Sequence, residues 1–201
     1  NPWKTLPVSN AIEYATLQNE MAAAAGQTPK FADPRSLGQG TDWQSKVFNP
    51  SAPMSNLEIN LSGSTDKIQY YASVSKYDQD GIVAAGKSNY SRLTARLNTT
   101  IQATNKLKFG WNAAYTNVQS MSVAENTEFG SPLGRALNID PITPLYETNP
   151  MLLSQNPYSI SGSLRKNLMR DAGGIYGISS IVTSEIVNPV AALLSLNKSF
   201  I

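Results

Sequence analysis

Between residues 55 and 116, apolar and polar positions alternate in four successive runs. In the first, Leu57, Ile59 and Leu61 alternate with Asn56, Glu58 and Asn60. In the second, Ile68, Tyr70, Ala72 and Val74 alternate with Gln69, Tyr71, Ser73 and Ser75. The third sets Leu93, Ala95, Leu97 and Ile101 against Arg92, Thr94, Arg96 and Asn98. The fourth sets Leu107, Phe109, Trp111, Ala113 and Tyr115 against Lys108, Gly110, Asn112 and Thr116. A period of two puts each set on one face of a β-strand. Each run is about ten residues, the length a tilted strand needs to cross a bilayer core. The connections alternate short (62–66), long (78–88) and short (near Asn105), as in outer-membrane barrels with tight periplasmic turns and longer outer loops. A soluble antiparallel sandwich also alternates, although its strands usually run nearer five or six residues. The aromatics Tyr70, Trp111 and Tyr115 on the apolar phase would suit an interfacial girdle. Pattern alone favours a barrel wall and leaves the sandwich open.

The flanks read differently. Asn10 with Glu13 three residues later predicts a capped helix start. Tyr14, Leu17 and Met21 would then share one helical face, and Gly26 with Thr28-Pro29 would end the helix. Residues 31–53 read as loop, broken by Asp33-Pro34, Gly38, Gly40, Asn49-Pro50 and Pro53. Gly, Pro, Ser and Asn are dense from 120 to 157, an elaborate loop with a short helix expected around 132–138. Arg165, Lys166 and Arg170 give 161–170 a basic cast. The β-branched stretch 175–187 predicts another strand, and Asn188-Pro189 a short helix over 190–196.

Composition narrows the chemistry. Charged residues make up 15% of the 201 and the net charge is +2, which offers nucleic acid no basic footprint. There is no cysteine and no histidine, so disulfides, thiolate sites and most general-base and zinc chemistry are not expected. The chain starts at Asn1 without a signal peptide, as expected of an internal segment or a processed chain. Gly81-Ile82-Val83-Ala84-Ala85-Gly86-Lys87-Ser88 fits the P-loop expression, but that motif must leave a buried strand and open a helix, and the run before it is half polar. Asp78-x-Asp80-Gly81 resembles the start of a calcium loop, without the later bidentate Glu; a hairpin turn is the better reading. Glu125 and Glu128 form no positioned carboxylate pair. Trp3, Trp43 and Trp111 are candidates for sugar stacking, although a Trp is more often core or membrane belt. No enzyme activity and no cofactor is expected.

Several segments together resemble one family. Gly40-Thr41-Asp42-Trp43-Gln44, Val47-Phe48-Asn49-Pro50, and Asn56-Leu57 with Leu61-Ser62-Gly63 are similar to a passage of SusC/RagA-type TonB-dependent outer-membrane transporters. So are Tyr70-Tyr71-Ala72-Ser73, Tyr77-Asp78-Gln79-Asp80-Gly81-Ile82, and Tyr90-Ser91-Arg92-Leu93-Thr94-Ala95-Arg96-Leu97-Asn98. Residues 12–21 and Asn188-Pro189-Val190-Ala191-Ala192-Leu193 extend the likeness in the same order. The resemblance implies a mainly β fold: an antiparallel transmembrane β-barrel segment, with long extracellular loops carrying short helices. Residues 1–53 would be a helix-containing outer loop, 54–118 four early barrel strands, and 119–201 a long outer loop region with a further strand and a short helix. The plug domain would be absent from this segment. It further implies the bacterial outer membrane, import of an oligosaccharide or peptide with a SusD-like surface lipoprotein, contact with outer-membrane lipid, and energy from TonB through the plug. Sharing the polar phase, Glu58, Tyr71, Arg92, Arg96 and Asn112 are the expected lumen-facing residues. A soluble β-sandwich carbohydrate-binding or adhesive module is the alternative.

Overall fold

A computed structural model describes residues 4–125, 127–128, 130–148, 170–171, 174–182, 188–193 and 199–200. The chain divides into two compact units. One is a β-sheet built from 51–81, 86–122 and the segment after 196; the other gathers 1–50, 82–85 and 123–196.

The sheet contains β1 (Met54–Ser64), β2 (Ile68–Asp80), β3 (Asn89–Thr104) and β4 (Leu107–Met121), each antiparallel to its chain neighbour. A two-residue strand, Ser199–Phe200, pairs with Gln119 and Ser120 at the far edge. The sheet is open, with strand order following chain order. The four main strands have 11, 13, 16 and 15 residues, longer than the expected ten. Pairing continues where the alternation of hydrophobicity has already stopped: Tyr77 faces Arg92 and Asp80 faces Asn89. At about 3.3 Å per residue the longest strand reaches roughly 50 Å, beyond a hydrocarbon core of about 30 Å. The first turn is also tighter than expected, because β1 runs to Ser64. Thr65 closes it: its N–H donates to Ile68 O at 2.7 Å and its hydroxyl accepts from Ile68 N at 3.1 Å.

Register decides the faces. Leu61, Ala72, Leu97 and Ala113 form one cross-strand row, and Ile59, Val74, Ala95 and Tyr115 the next. Between these rows and the short turns lie Gly63, Tyr70, Thr99 and Trp111, then Ile68, Ile101 and Phe109. The apolar phases of all four strands therefore coincide on one face. Most of its large side chains stand open to the surroundings, from 39% exposed at Tyr70 to 67% at Ile59, while Leu97 is half-buried. Gly63 has a local reason: the Tyr70 ring lies over it, and a Cβ there would meet the ring and its hydroxyl at 2.5–2.8 Å.

The other unit opens with α1 (Ala11–Ala24). Its capping box is complete: the Asn10 side chain accepts from Glu13 N at 2.9 Å, and the Glu13 carboxylate accepts from Asn10 N at 3.0 Å. The buried face corrects the expectation. Ala11, Ala15 and Ala22 are buried, whereas Leu17 and Met21 are 50% and 64% exposed. Close backbone approach explains the choice. Ala11 N donates to Gln39 O, and Gly40, at φ 73°, leaves no room for a Cβ between Ala11 and Pro141 O. Only a small side chain fits there.

The expected loop at 31–53 holds two short helices. Asp33 caps a 3-10 helix, Pro34–Leu37, and Asp42 caps α2 (Trp43–Val47). The helix expected at 132–138 is present as α3 (Pro132–Asn138), capped by Ser131. The strand expected over 175–187 is not formed in its described part. β6 (Gly174–Ile175), paired with β5 (Arg170–Asp171), ends there, Tyr176 makes a single bridge to Tyr146, and 177–182 carry no strand. The Asn188 side chain explains part of this: it donates to Gly177 O at 3.1 Å and so uses an acceptor that a strand would need. Its oxygen accepts from Val190 N at 3.0 Å and starts α4 (Pro189–Leu193), the helix expected after Asn188-Pro189. Residues 183–187 and 194–196 of those two expectations, and 161–169 of the basic stretch, lie outside the described residues.

A small core sits among these helices. Trp43, Val47, Ala136 and Ile139 pack together with Val83 and Leu145; Ala84, Val123 and Leu193 form a second cluster. Residues 82–85, the tip of the β2–β3 connection, belong to this unit: Asn49 N donates to Ile82 O and Ala84 N to Val47 O, both at 2.8 Å.

Candidate functional site

The polar phases of β1–β4 also coincide. Glu58, Ser75, Thr94 and Thr116 form one row, and Asn60, Ser73, Arg96 and Ala114 the next. Asn56, Tyr77, Arg92 and Val118 flank them on one side; Ser62, Tyr71, Asn98 and Asn112 flank them on the other. All five expected lumen-facing residues thus share one face of the sheet. Four of them, Glu58, Tyr71, Arg92 and Arg96, line an open cup of about 310 Å³ with Ser73, Ser75, Thr94 and Thr116. Asn112 stands in the Tyr71 row, outside the cup.

The cup has a hydroxyl floor and charged sides. Thr94 is buried, and Ser73 and Ser75 are half-buried. Arg92 lies 5.9 Å from the centre of the Tyr77 ring, within cation–π range. Tyr77 is in turn edge-on to Tyr90 at 5.9 Å, and its hydroxyl donates to Gln79 Oε1 at 2.6 Å. Sequence reasoning missed this aromatic shelf. Tyr77 and Tyr90 lie past the last apolar position of their runs, where alternation no longer signals a strand.

The other candidate motifs resolve into structure. The P-loop expression forms a hairpin connection: Gly81 N donates to Ser88 O at 2.8 Å, and a strand, not a helix, follows at Asn89. No helix N-terminus stands behind the two glycines, so the phosphate cradle is not built. The Asp78 carboxylate meets Lys76 Nζ at 3.0 Å and accepts from Ser91 Oγ at 2.7 Å. Glu125 and Glu128 are exposed. Trp43 is 3% exposed and donates from Nε1 to Asp140 O at 2.9 Å, so it is core and not a stacking platform. Trp111 is 61% exposed on the apolar face. Trp3 lies outside the described residues.

Sequence reasoning also missed the cluster around Asp140, a residue only 1% exposed. Its carboxylate accepts from Thr143 N at 2.8 Å, from Thr143 Oγ1 at 2.9 Å and from Ser179 Oγ. Ser179 Oγ also accepts from Ile181 N and Val182 N. The Asp-x-x-Thr spacing of a side-chain-closed turn was the available signal. Nearby, burial raises the pKa of the Tyr14 phenol, and the negative charge of Asp140 adds to the rise.

An exposed apolar face backed by a hydrophilic one, on an open antiparallel sheet with short and long connections in alternation, fits a segment of a transmembrane β-barrel wall. Comparison with known proteins carries this further. The chain is 26% identical over 198 residues, 98% of its length, to the TonB-dependent receptor P26 of Formosa agariphila. It is 30% identical over 157 residues, 77% of its length, to the TonB-dependent receptor SusC of Bacteroides thetaiotaomicron. These matches span only 16% and 14% of those relatives. Among solved structures, the RagAB peptide transporter aligns over 52% of the chain and 12% of that chain, at 25% identity and a TM-score of 0.44. No family model matches the chain. The chain is a relative of SusC-type TonB-dependent receptors, as its ordered motifs predicted.

Proposed function

We propose that this chain forms an early part of the barrel wall of an outer-membrane TonB-dependent importer of glycans or peptides. In that reading the apolar face of β1–β4 meets lipid and the polar face meets the lumen. The turns Thr65-Asp66-Lys67 and Asn105-Lys106 are periplasmic; the β2–β3 connection and the regions 1–53 and 119–201 face outward. A SusD-like lipoprotein would partner the outer surface, and TonB would act through a plug domain. The observation that carries the reading is the two-faced sheet. Fully burying one large apolar side chain is worth about 1.5–3 kcal/mol, and the exposed row from Leu57 to Tyr115 is a standing demand for an apolar solvent. The same exposure weighs against the sandwich reading, because a sandwich covers that face with a second sheet.

Single cysteines along 68–75 test the assignment in the intact protein in its outer membrane. A water-soluble maleimide should label the Gln69, Tyr71, Ser73 and Ser75 positions, and a lipid-dissolved probe the Ile68, Tyr70, Ala72 and Val74 positions. Lipid protection of the Tyr71 phase would reverse the assignment, and the importer reading would go with it.

A further inference from the structure

We infer that the polar face selects oligosaccharides bearing carboxylate or sulfate groups over neutral ones. This rests on the importer reading above, and the argument starts from charge. On the polar phase of the four strands, Arg92, Arg96 and Lys108 stand against a single carboxylate, Glu58. Three cations less one anion leave this face at +2. Neither guanidinium is neutralised from within: among the described residues the ion pair is Lys76–Asp78, in the opposite phase.

Register explains why Glu58 does not quench the arginines. It stands on β1, in the row of Thr94, so two strand spacings of about 4.8 Å separate it from β3. Arg92 and Arg96 sit one row to either side of Thr94, and their Cα atoms are about 13 Å apart along the strand. They bracket the hydroxyl floor. The Tyr77 ring restrains Arg92, so less side-chain entropy is lost when its planar fork engages an anion. A guanidinium gives paired, charge-assisted donors to a carboxylate or sulfate, and a surface of one sign concentrates ligands of the other. The remaining lining favours a sugar over an acidic peptide. Ser73, Ser75, Thr94 and Thr116 offer hydroxyls that both donate and accept, matching sugar hydroxyls. The lining holds no aliphatic side chain to seat a peptide residue, and its one aromatic, Tyr71, presents a ring of the kind that also packs on sugars.

The test is calorimetry on the intact protein in detergent micelles, with a sulfated oligosaccharide, its desulfated form of equal length, and an acidic peptide. The sulfated sugar should bind about tenfold more tightly than the neutral one, the value of one good charge-assisted hydrogen bond. The preference should shrink as salt screens it. R92Q/R96Q should bring the affinity for the sulfated sugar down to that for its desulfated form, whereas R92K/R96K should retain part of the preference and E58Q should increase it. Heat-modifiable gel mobility confirms that each variant is folded. Equal affinity for the two sugars, a preference that survives R92Q/R96Q, or binding of the acidic peptide in place of sugar would overturn the inference. If neither sugar binds while the 68–75 labelling pattern holds, this inference falls and the importer reading stands; a reversed labelling pattern removes both.

Discussion

At the scale of single residues, the chain spends its polar groups on shape more than on chemistry. Asp140 is the clearest case. A buried carboxylate is costly unless hydrogen-bonded, and this one accepts from Thr143 and Ser179, residues near and far in the chain. Replacing Asp140 with Ala strands those donors and should cost about 1–3 kcal/mol, read as faster protease cleavage within 140–182. Asp140→Asn keeps acceptor capacity at one oxygen and should cost less. Tyr14 gives a pH signature. Its pKa is raised in the fold, so the folded state holds the phenolic proton more tightly than the unfolded one. That contribution is complete below the unfolded value of about 10 and is lost as pH climbs through the higher folded value. Phenolate absorbance should therefore show a late-titrating component that Tyr14→Phe removes. Such residues were hard to read in advance. The capping pair Asn10 and Glu13 is local in sequence and was legible. The partners of Asp140 include Ser179, 39 residues away, and no local rule joins them.

At the scale of elements, periodicity was a good guide wherever one face had a consistent solvent. The four strands and their two phases followed from alternation, and the register brings the apolar phases together on one face. Alternation failed at the strand ends away from the short turns, where the run of apolar positions stops and only pairing marks the strand. It failed differently in α1: hydrophobic spacing pointed to Tyr14, Leu17 and Met21, but a tight backbone contact at Gly40 selected the alanine face. The strand expected over 175–187 shows a third cause. β-branched residues satisfy a propensity, yet a side-chain amide from Asn188 occupies the backbone at Gly177. The faces themselves can be tested by adjacent substitutions. Leu61→Arg puts a charge at the middle of the apolar rows and should cost about 2–4 kcal/mol at the bilayer midplane. Asn60→Arg, one residue earlier on the polar face, should be nearly neutral. Folding titrations into lipid vesicles would measure both, and equal costs would contradict the two-faced assignment.

At the scale of the molecule, the sheet unit has a family likeness that its fold alone would not supply. An open sheet of four long strands fits several architectures; the ordered motifs from residue 12 to Leu193 narrowed it to one class of receptor, and its relatives agree. The helical unit shows what neither pattern nor family likeness could supply, because its short helices rest on capping residues and on contacts made far along the chain. One consequence of the topology concerns time and not structure. Each long strand pairs with its immediate successor or predecessor, and the closures at Thr65-Asp66-Lys67 and Asn105-Lys106 span only a few residues. Loop-closure entropy is therefore small at each step, and an isolated hairpin forms in roughly 1–10 μs. The strands can zip in the order they are delivered, β1 with β2 before β3 arrives, so none of the four main strands has to wait for a distant partner before it pairs; only the two-residue strand Ser199–Phe200 reaches β4 from far along the chain.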